Sequence, residues 1–386
     1  MLAQFQIPGT ILLGGGASQQ LAAQVQRLQA RRALLVTDAF LLRGGLADRF
    51  ADQLQAAGIE TNIFADVQPD PTVTNVMEGL DQLQHCKADI VIGLGGGSPM
   101  DAAKSIAALA TNPPPLAEYA GYNRIPKPGL PLVLIPTTAG TGSEVTRVAV
   151  ITDTERDVKM MMLDSHLLPR VALVDYELTM SMPAALTAHV GVDTLTHGIE
   201  AYVSQRAGPL TDPIALSCVR LVAEHLDTAF REPANHTARA GMMTAACQGG
   251  MAFSNSSVAL VHGMSRPIGA HFHVPHGLSN AVLLPDVTRY SLPGAAARYA
   301  TVARVMNIAA ASDCDADAGR LLIDYLEEQN RRLGIGRLRD AVKVERAVFE
   351  SKLHEMAAAA LASGSPQNNP LVPTEETIVE LYEKAW

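Results

Sequence analysis

Residues 88–104, ADIVIGLGGGSPMDAAK, decide the fold of the first half of this chain. An apolar run that ends in glycines and continues as a helical stretch over 100–110 is typical of a buried parallel strand followed by its crossover helix. Glycine lets a backbone approach a phosphate closely, and a helix N-terminus offers free N–H groups. We therefore expect a strand–turn–helix unit whose turn binds a phosphate-containing ligand.

The same alternation extends over the N-terminal half of the chain. ALLVTD (33–38), IETNIFAD (59–66) and PLVLIPTT (131–138) predict further strands, and helices are expected over 46–57 and 73–85. Strands alternating with helices predict a parallel sheet with helices on both faces. After Pro183 the apolar residues recur with a period near 3.6, which predicts helices only. We expect an α/β domain at 1–182 and an all-α domain at 183–386.

Two further strand ends favour a dinucleotide over a simple helix cap. The spacing Gly93-x-Gly95-x-x-Ser98 nearly matches the Rossmann fingerprint, but alone it also fits an N-cap by Ser98. PTTAGTGSEVT (136–146) is a second glycine- and hydroxyl-rich segment after a strand. Asp38, otherwise an ordinary turn aspartate, is suited to accept a ribose hydroxyl and to repel the extra phosphate of NADP. Together they predict NAD at the carboxyl edge of the sheet, with Gly96 and Thr141 among its contacts.

Four residues of the second half predict a metal site. Asp193 and His197 are four residues apart on a predicted helix and therefore share one face. His262 and His276 belong to VHGMSRPIGAHFHVPHG (261–277), where the central proline and glycine are expected to break a helix and let the imidazoles converge. Three imidazoles and a carboxylate suit Fe²⁺ or Zn²⁺ better than Mg²⁺ or Ca²⁺. The alternative is two unrelated buried histidines and a helix salt bridge, and the spacing argues against it.

Composition narrows the class of partner. The net charge is −9 and no Lys/Arg cluster is evident, which argues against nucleic-acid binding. The N-terminus lacks the features of a signal peptide, and no apolar run approaches the ~20 residues that span a bilayer. The four cysteines are scattered, as is typical of reduced thiols in the cytoplasm. We expect a cytoplasmic protein that binds a small molecule and no membrane.

These motifs together resemble the iron-containing (group III) alcohol dehydrogenases, over essentially the whole chain. GGGSPMDAAK, PTTAGTGSEVT, GVDTLTHGIEAY and VHGMSRPIGAHFHVPHGLSNAVLLP carry the resemblance. It implies a dehydroquinate synthase-like architecture: a Rossmann-like domain, a helical domain and a catalytic cleft between them, in a homodimer. It also implies a metal- and NAD-dependent dehydrogenase that interconverts a small alcohol and its aldehyde. It assigns metal ligation to Asp193, His197, His262 and His276, and cofactor contacts to Asp38, Gly97, Ser98, Asp101, Thr137, Thr138, Thr146, Lys159 and Leu178. Asp70 stands where many members carry Asn, near the adenosine side.

Arg266 is the main departure from the family pattern. Many members have a second histidine there that is assigned to proton transfer, whereas an arginine stays protonated at neutral pH. His271 or His273 in the same segment is a candidate substitute for the proton path. Arg266 itself either braces its segment through a nearby carboxylate or holds an anionic group of the substrate, such as a semialdehyde, or of the cofactor.

Two other functions use the same features differently. A dehydroquinate synthase- or glycerol-1-phosphate dehydrogenase-like enzyme would bind a phosphorylated substrate, for which Arg266 offers a partner. A non-catalytic assembly protein would retain the fold without the chemistry. The match to the alcohol dehydrogenase motifs argues against the first, and the complete set of metal candidates argues against the second.

Overall fold

The computed structural model describes residues 4–156 and 158–386. They form two compact units: Gln6–Met180, and Ser181–Trp386 together with Gln4 and Phe5. Among the described residues no helix has both the length and the apolar character needed to cross a membrane.

The first unit is built from strands and helices. Its strands are β1 Thr10–Leu13, β2 Arg32–Val36, β3 Glu60–Phe64, β4 Ile90–Gly95, β5 Gly121–Tyr122, β6 Leu132–Pro136, β7 Val148–Asp153, β8 Val158–Leu163 and β9 Val171–Val174. Its helices are α1 Leu21–Arg27, α2 Ala39–Arg43, α3 Leu46–Ala56, α4 Val73–His85 and α5 Gly97–Leu109.

A six-stranded parallel sheet organises this unit, in the order β1-β9-β6-β4-β2-β3. The central strands β4, β6 and β9 are buried along their whole length, which explains their continuous apolar sequences. One core cluster, with Val91, Met100 and Leu134, covers one face; another, with Leu54, Ile92 and Leu173, covers the other. The predicted parallel sheet with helices on both faces is confirmed.

The register of the sheet aligns the strand ends that the sequence singled out. Val36 of β2 pairs with Gly93 of β4, and Gly95 of β4 pairs with Pro136 of β6. The chain places β3 on one side of β2 and then returns to place β4 on the other, so the direction of winding reverses between β2 and β4. Ligands of open α/β sheets bind at such a reversal, outside the carboxyl ends of the strands.

Several details of the first unit differ from the sequence predictions. Helix α5 begins at Gly97, three residues before the predicted start, because Gly96 is its N-cap and Gly97, Ser98 and Pro99 already belong to its first turn. Asp38 does not end a strand; it caps the short helix α2, which was not predicted. The hairpin of β7 and β8 joins β5 in a separate three-stranded sheet, which was also not predicted.

The described residues of the second unit form helices and no strands, as predicted. They are α6 Ala184–Val203, α7 Asp212–Arg231, α8 His236–Asn255, α9 Leu260–Phe272, α10 His276–Ser291, α11 Ala296–Val305, α12 Asp315–Arg332, α13 Leu338–Val342, α14 Arg346–Glu350, α15 Leu353–Ala362 and α16 Glu375–Ala385.

Helix α6 lies at the centre of the second unit, packed against α7, α8 and α10. Two glycines allow the close approach of α7. A Cβ at Gly191 would lie 2.3 Å from Leu226 Cδ1, and one at Gly198 would lie 2.7 Å from Val219 Cγ1. The helix that carries Asp193 and His197 is therefore held on several sides by close packing.

The expected break between His262 and His276 lies elsewhere. Pro267 and Gly269 are inside α9, so the prediction that they interrupt the helix is wrong. The chain turns instead at His273, which has a φ of 54°, and Pro275 precedes α10. Left-handed backbone at the end of one helix and a proline before the next give the reversal that returns His276 toward His262.

Candidate active site

Helix α6 brings three acidic or imidazole side chains to one face. Asp193, His197 and Glu200 follow one another at intervals of four and three residues, which places them in successive turns. All three are buried, with Glu200 only 3 % exposed. A buried row of charged groups on a helix requires partners, and these come from α9 and α10.

The side chains of His262 and His276 meet Asp193. The Oδ1 atom of Asp193 lies 3.6 Å from His262 Nε2, 4.0 Å from His276 Nε2 and 3.9 Å from His197 Nε2. One ligand atom from each of Asp193, His262 and His276 lies within 4.8 Å of the other two. The ring of His197 stacks between those of Phe253 and His262, at centroid distances of 4.4 Å and 4.7 Å.

These separations fit a divalent transition metal. Two ligand atoms at about 2.1 Å from one tetrahedral ion stand about 3.4 Å apart, so the separations of 3.6 Å to 4.0 Å from Asp193 Oδ1 exceed that value by about 0.2 to 0.6 Å. The Nδ1 atom of His197 is buried without a hydrogen-bond partner among the described residues. The donor set, imidazole nitrogens and one carboxylate, is that of iron and zinc sites.

The ionisation of the site suits metal binding. Burial lowers the pKa of His262 well below its ordinary value, and neighbouring His197 and His276 lower it further, so the imidazole is neutral. Burial raises the pKa of Asp193, but the three imidazoles and a hydrogen bond from Asn280 outweigh it and leave the pKa lowered. A carboxylate beside a neutral imidazole is the state that binds a cation without first releasing a proton.

Glu200 contacts Nδ1 of His262, the ring nitrogen that is not directed at Asp193. Its Oε2 lies 2.7 Å from His262 Nδ1, so Nδ1 carries the proton and Nε2 keeps its lone pair for a metal. The same carboxylate accepts the backbone N–H groups of Ala259 at 2.8 Å and Val261 at 2.6 Å, at the N-terminus of α9. Burial raises the pKa of Glu200 to about 7, while these hydrogen bonds lower it.

Asn280 lies one turn after His276 on α10 and is fully buried. Its Nδ2 donates to Asp193 Oδ1 at 2.6 Å and is 3.2 Å from both His262 Nε2 and His276 Nε2. Its Oδ1 has no hydrogen-bond partner in the described structure. Asn280 Nδ2 thus contacts all three converging atoms, and its contacts with the two Nε2 lone pairs would give way to a bound ion.

The catalytic candidates Arg266, His271 and His273 have different surroundings. Arg266 donates from Nη1 to Ser365 Oγ at 2.8 Å, so this bracing contact is with a hydroxyl, whereas the prediction named a carboxylate. His271 Nε2 lies 3.7 Å from Glu355 Oε1 of α15. His273 is exposed at the turn that ends α9. Arg266 and His271 thus each contact a residue beyond α10, and neither contact is with a metal candidate.

The cofactor candidates of the first unit gather at one edge of the sheet. Asp38 follows β2, Gly96, Gly97 and Ser98 follow β4, and Thr137 and Thr138 follow β6. The two glycine-rich segments touch: a Cβ at Gly97 would lie 3.1 Å from Thr141 Cγ2, and one at Gly96 would lie 3.5 Å from Thr138 Oγ1. Because Gly96 and Gly97 have no side chains, the two segments can come into contact. The N-terminus of α5 also stays open to a ligand.

Asp101 and Thr146 take part in a buried network. Asp101 accepts Ser143 Oγ at 2.7 Å and the N–H of Val150 at 2.9 Å. Thr146 Oγ1 accepts the ammonium of Lys104 at 3.0 Å. Their side chains are therefore engaged within the protein and order the segment around Ser143.

The remaining cofactor candidates are placed as follows. Asp38 Oδ1 caps α2 by accepting the N–H groups of Phe40 and Leu41, both at 2.9 Å. Lys159 and Asp70 form an ion pair, with 2.7 Å between Lys159 Nζ and Asp70 Oδ1. Both residues lie outside the two glycine-rich segments in the sequence. Leu178 follows β9 in the 3-10 helix Tyr176–Thr179 and packs against the core of the sheet.

Sequence reasoning missed four residues that organise these sites: Lys104, Ser143, Glu200 and Asn280. Helical spacing could have indicated two of them, since Glu200 lies seven residues after Asp193 and Asn280 four after His276. Nothing in the sequence pairs Lys104 with Ser143, because the two are 39 residues apart on different elements.

Comparison with known proteins finds two family profiles that together match most of the chain. The profile described as iron-containing alcohol dehydrogenase matches residues 8–176, and that of the C-terminal part of the Fe-containing alcohol dehydrogenase family matches residues 187–386. A lactaldehyde reductase of Escherichia coli (strain K12) is 38% identical over 382 residues, covering 98% of each chain.

Two further similarities span both chains in full. An NAD-dependent methanol dehydrogenase of Bacillus methanolicus is 37% identical over 384 residues, with 100% of each sequence covered. The crystal structure of a 1,3-propanediol oxidoreductase superimposes with a TM-score of 0.96 at 36% identity, again over 100% of both chains. The resemblance found in the sequence is thereby confirmed.

Proposed function

Because the chain belongs to the family of iron-containing alcohol dehydrogenases, we propose that it is a metal- and NAD-dependent dehydrogenase of a small alcohol. The reverse reaction reduces the aldehyde. The observation that carries the metal assignment is the convergence of Asp193 Oδ1 with the Nε2 atoms of His262 and His276 in a buried setting. We assign Asp193, His197, His262 and His276 as the ligands of Fe²⁺, and Zn²⁺ suits the same set.

The bound ion supplies Lewis acidity toward the alcohol oxygen. The residues prepare for it. Glu200 keeps the proton of His262 on Nδ1, Asn280 orients Asp193, and the ring of Phe253 limits the motion of His197 at a centroid distance of 4.4 Å. Such support fixes ligand geometry before binding and reduces the reorganisation that binding costs.

We assign NAD to the carboxyl edge of the six-stranded sheet. The N-terminus of α5, at Gly96, Gly97 and Ser98, is suited to the pyrophosphate because its N–H groups and dipole favour negative charge. Asp38 uses Oδ1 to cap α2, so Oδ2 is the oxygen that we assign to a ribose hydroxyl. The name of the methanol dehydrogenase relative, which specifies NAD dependence, supports this cofactor. The other proposed contacts are Asp70, Asp101, Thr137, Thr138, Thr141, Thr146, Lys159 and Leu178.

We assign Arg266 to bracing α9, on the strength of its hydrogen bond to Ser365. An arginine donates from a fixed charge and does not release a proton near neutral pH. His271 and His273 remain the candidates for proton transfer. Substrates named for relatives, methanol, lactaldehyde and propanediol, favour a small neutral alcohol or aldehyde over an anionic semialdehyde.

We further propose a cytoplasmic homodimer. A mass measurement by light scattering tests the association: a dimer has twice the chain mass of 40.9 kDa. A particle of the single-chain mass at micromolar concentration would contradict it.

A substrate screen on metal-defined protein tests the function. The protein is stripped with a chelator, reloaded with Fe²⁺ or Zn²⁺, and assayed for NADH formation with short alcohols and with phosphorylated polyols. We expect turnover with the short alcohols, only after reloading. Full turnover in the stripped protein would exclude a metal-dependent reaction. Preference for phosphorylated polyols would favour the glycerol-1-phosphate dehydrogenase alternative, and absence of both NAD and metal affinity would favour an assembly protein.

A further inference from the structure

Lys104 is a fully buried cation whose role the proposed reaction does not explain. It lies in the third turn of α5, and its residue is 1 % exposed. Burying an ammonium group is costly unless every donor is satisfied and a counter-charge is near. A methionine or leucine at this position would avoid that cost, so the lysine must serve something other than helix packing.

All three donors of the ammonium are used on one segment. Lys104 Nζ donates to Val148 O at 2.7 Å, Ser143 Oγ at 2.8 Å and Thr146 Oγ1 at 3.0 Å. These acceptors lie within six residues of each other, in the stretch that joins β6 to β7. One side chain therefore holds three points of this stretch against α5.

Carboxylates complete the arrangement. Asp101, one turn before Lys104, is 3.9 Å from the ammonium and accepts Ser143 Oγ at 2.7 Å. Ser143 Oγ thus donates to Asp101 while it accepts from Lys104. Glu144 is 1 % exposed, and its Oε1 has no hydrogen-bond partner among the described residues. Its charge acts on Lys104 without a direct hydrogen bond.

The segment that Lys104 holds is the continuation of the second glycine-rich motif. Thr141, whose Oγ1 accepts the N–H of Ser143 at 3.3 Å, faces the position of a Cβ at Gly97. Any displacement of Ser143 is therefore transmitted to Thr141 and to the contact between the two glycine-rich segments. The pyrophosphate was assigned to the first of these segments, and the second supplies further proposed contacts with NAD.

We propose that Lys104 is a positioning residue for the dinucleotide, which holds segment 143–148 against α5 so that both glycine-rich segments keep the geometry required for the pyrophosphate. The inference rests on the proposed NAD dependence. Lys104 contributes through Ser143 and Thr146 and does not touch the cofactor.

Replacement of Lys104 by methionine tests the proposal in the metal-loaded full-length enzyme. Lys104→Met keeps an unbranched side chain as far as Cε and removes the three hydrogen bonds of Nζ. We expect the Kd for NADH, measured by fluorescence titration, to rise about tenfold or more, because hydrogen bonds to a charged group are lost. The KM for NAD should rise in parallel, while metal content and the KM for the alcohol stay at wild-type values.

A pH profile adds a signature that a merely structural role would not give. Burial lowers the pKa of Lys104 to about 8, and Asp101 and Glu144 raise it partly again. The groups that face the ammonium are these two carboxylates, Ser143, Thr146 and the carbonyl of Val148. As the pH rises through about 8 the amine loses a donor, so NADH affinity of the wild type should fall, and Lys104→Met should lack this step.

Arg239 offers a matched control. It is also a buried cation, 1 % exposed, and donates to Pro233 O, Thr187 Oγ1 and Met182 O in the second unit. Arg239→Met should lower the thermal midpoint without changing the Kd for NADH. If Arg239→Met weakened NADH binding as much as Lys104→Met does, the effect would be a general one of buried cations and the proposal would fail.

Ser143→Ala decides the matter if Lys104→Met does not fold. It removes the one hydroxyl that Lys104 and Asp101 share, and we expect a weaker but measurable loss of NADH affinity. Wild-type affinity in either folded variant would overturn the positioning role and leave NAD dependence intact. Failure of the wild-type enzyme to bind NADH would instead refute the proposed function itself.

Discussion

At the scale of single residues, Glu200 is the most informative position for the metal site. In the native protein both carboxylate oxygens of Glu200 accept hydrogen bonds from N–H groups. Glu200→Gln keeps one of these oxygens and replaces the other by an NH₂ group, which cannot accept them. We expect Fe²⁺ affinity to fall about 10- to 100-fold, as for other groups that orient a metal-bound histidine. Competition with a calibrated chelator measures it without any assay of turnover.

Glu144→Gln is the control for this substitution. Burial raises the pKa of Glu144 to about 7, as it does for Glu200, but Glu144 lies in the first unit. Its substitution should leave metal affinity unchanged. A Glu200→Gln protein that retained wild-type affinity would show that His262 needs no support from this carboxylate.

Substitution of Arg266 distinguishes a bracing role from the binding of an anionic substrate. If it braces α9 through Ser365, Arg266→Ala should lower activity on a neutral aldehyde and on succinic semialdehyde by similar factors, below about tenfold, because one charge-assisted hydrogen bond is lost. Steady-state kinetics with both aldehydes measures this. Ser365→Ala should reproduce the direction of the loss. A selective loss of the semialdehyde would show instead that the guanidinium binds an anionic substrate.

At the scale of elements, the packing of α5 on β4 depends on Gly93. A Cβ there would stand 2.6 Å from Leu134 Cδ2 and 2.9 Å from Ala103 Cβ. We expect Gly93→Ala to destabilise the protein by about 1–3 kcal/mol, the usual effect of overpacking a core. Chemical denaturation followed by circular dichroism measures it.

Gly208→Ala provides the comparison, since nothing lies within 4 Å of its added Cβ and its φ is ordinary. It should be neutral or stabilising by up to about 1 kcal/mol through the unfolded chain. Equal destabilisation by both substitutions would contradict the close contact at Gly93.

The helices and strands also show how much of the fold can be predicted from the sequence. Long apolar runs such as that of β4, and periodic helices such as α4, were predicted closely because local pattern and tertiary burial agree. The short helix α2 was missed because five residues are too few to show a helical period. The β7–β8 hairpin was missed although β7, VAVITD, has the β-branched residues and the alternating burial of a strand. Pro267 was misplaced because the chain tolerates a proline inside α9, a tertiary effect that local rules do not include.

The candidate sites were predictable to a similar extent. Helical spacing placed Asp193 and His197 on one face, and strand ends placed Asp38 and Ser98 on one edge, since both follow from regular geometry. Hydrogen bonds between distant segments do not follow from the regular geometry of helices and strands. The bonds of Glu200 to Val261 and of Lys104 to Ser143 depend on how the elements pack, which no single-sequence period records.

At the scale of the whole molecule, the proposed cofactor contacts and metal ligands belong to different compact units. The former lie in Gln6–Met180 and the latter in Ser181–Trp386. We expect chelation to abolish turnover while the Kd for NADH changes by no more than about twofold, less than 0.5 kcal/mol. Fluorescence titration of stripped and reloaded protein measures this, and Fe²⁺ should restore turnover. A large loss of NADH affinity on stripping would show that the two sites are energetically coupled.

The carboxylate of Glu200 has one more consequence. Because it accepts the amides of Ala259 and Val261 as well as His262 Nδ1, the protons of those two amides exchange with solvent only when the carboxylate releases them. An ion that immobilises His262 must also slow this release, since ligand binding opposes any opening that breaks its site. Deuterium uptake at the start of α9 thus records metal occupancy in the backbone, independently of substrate and cofactor.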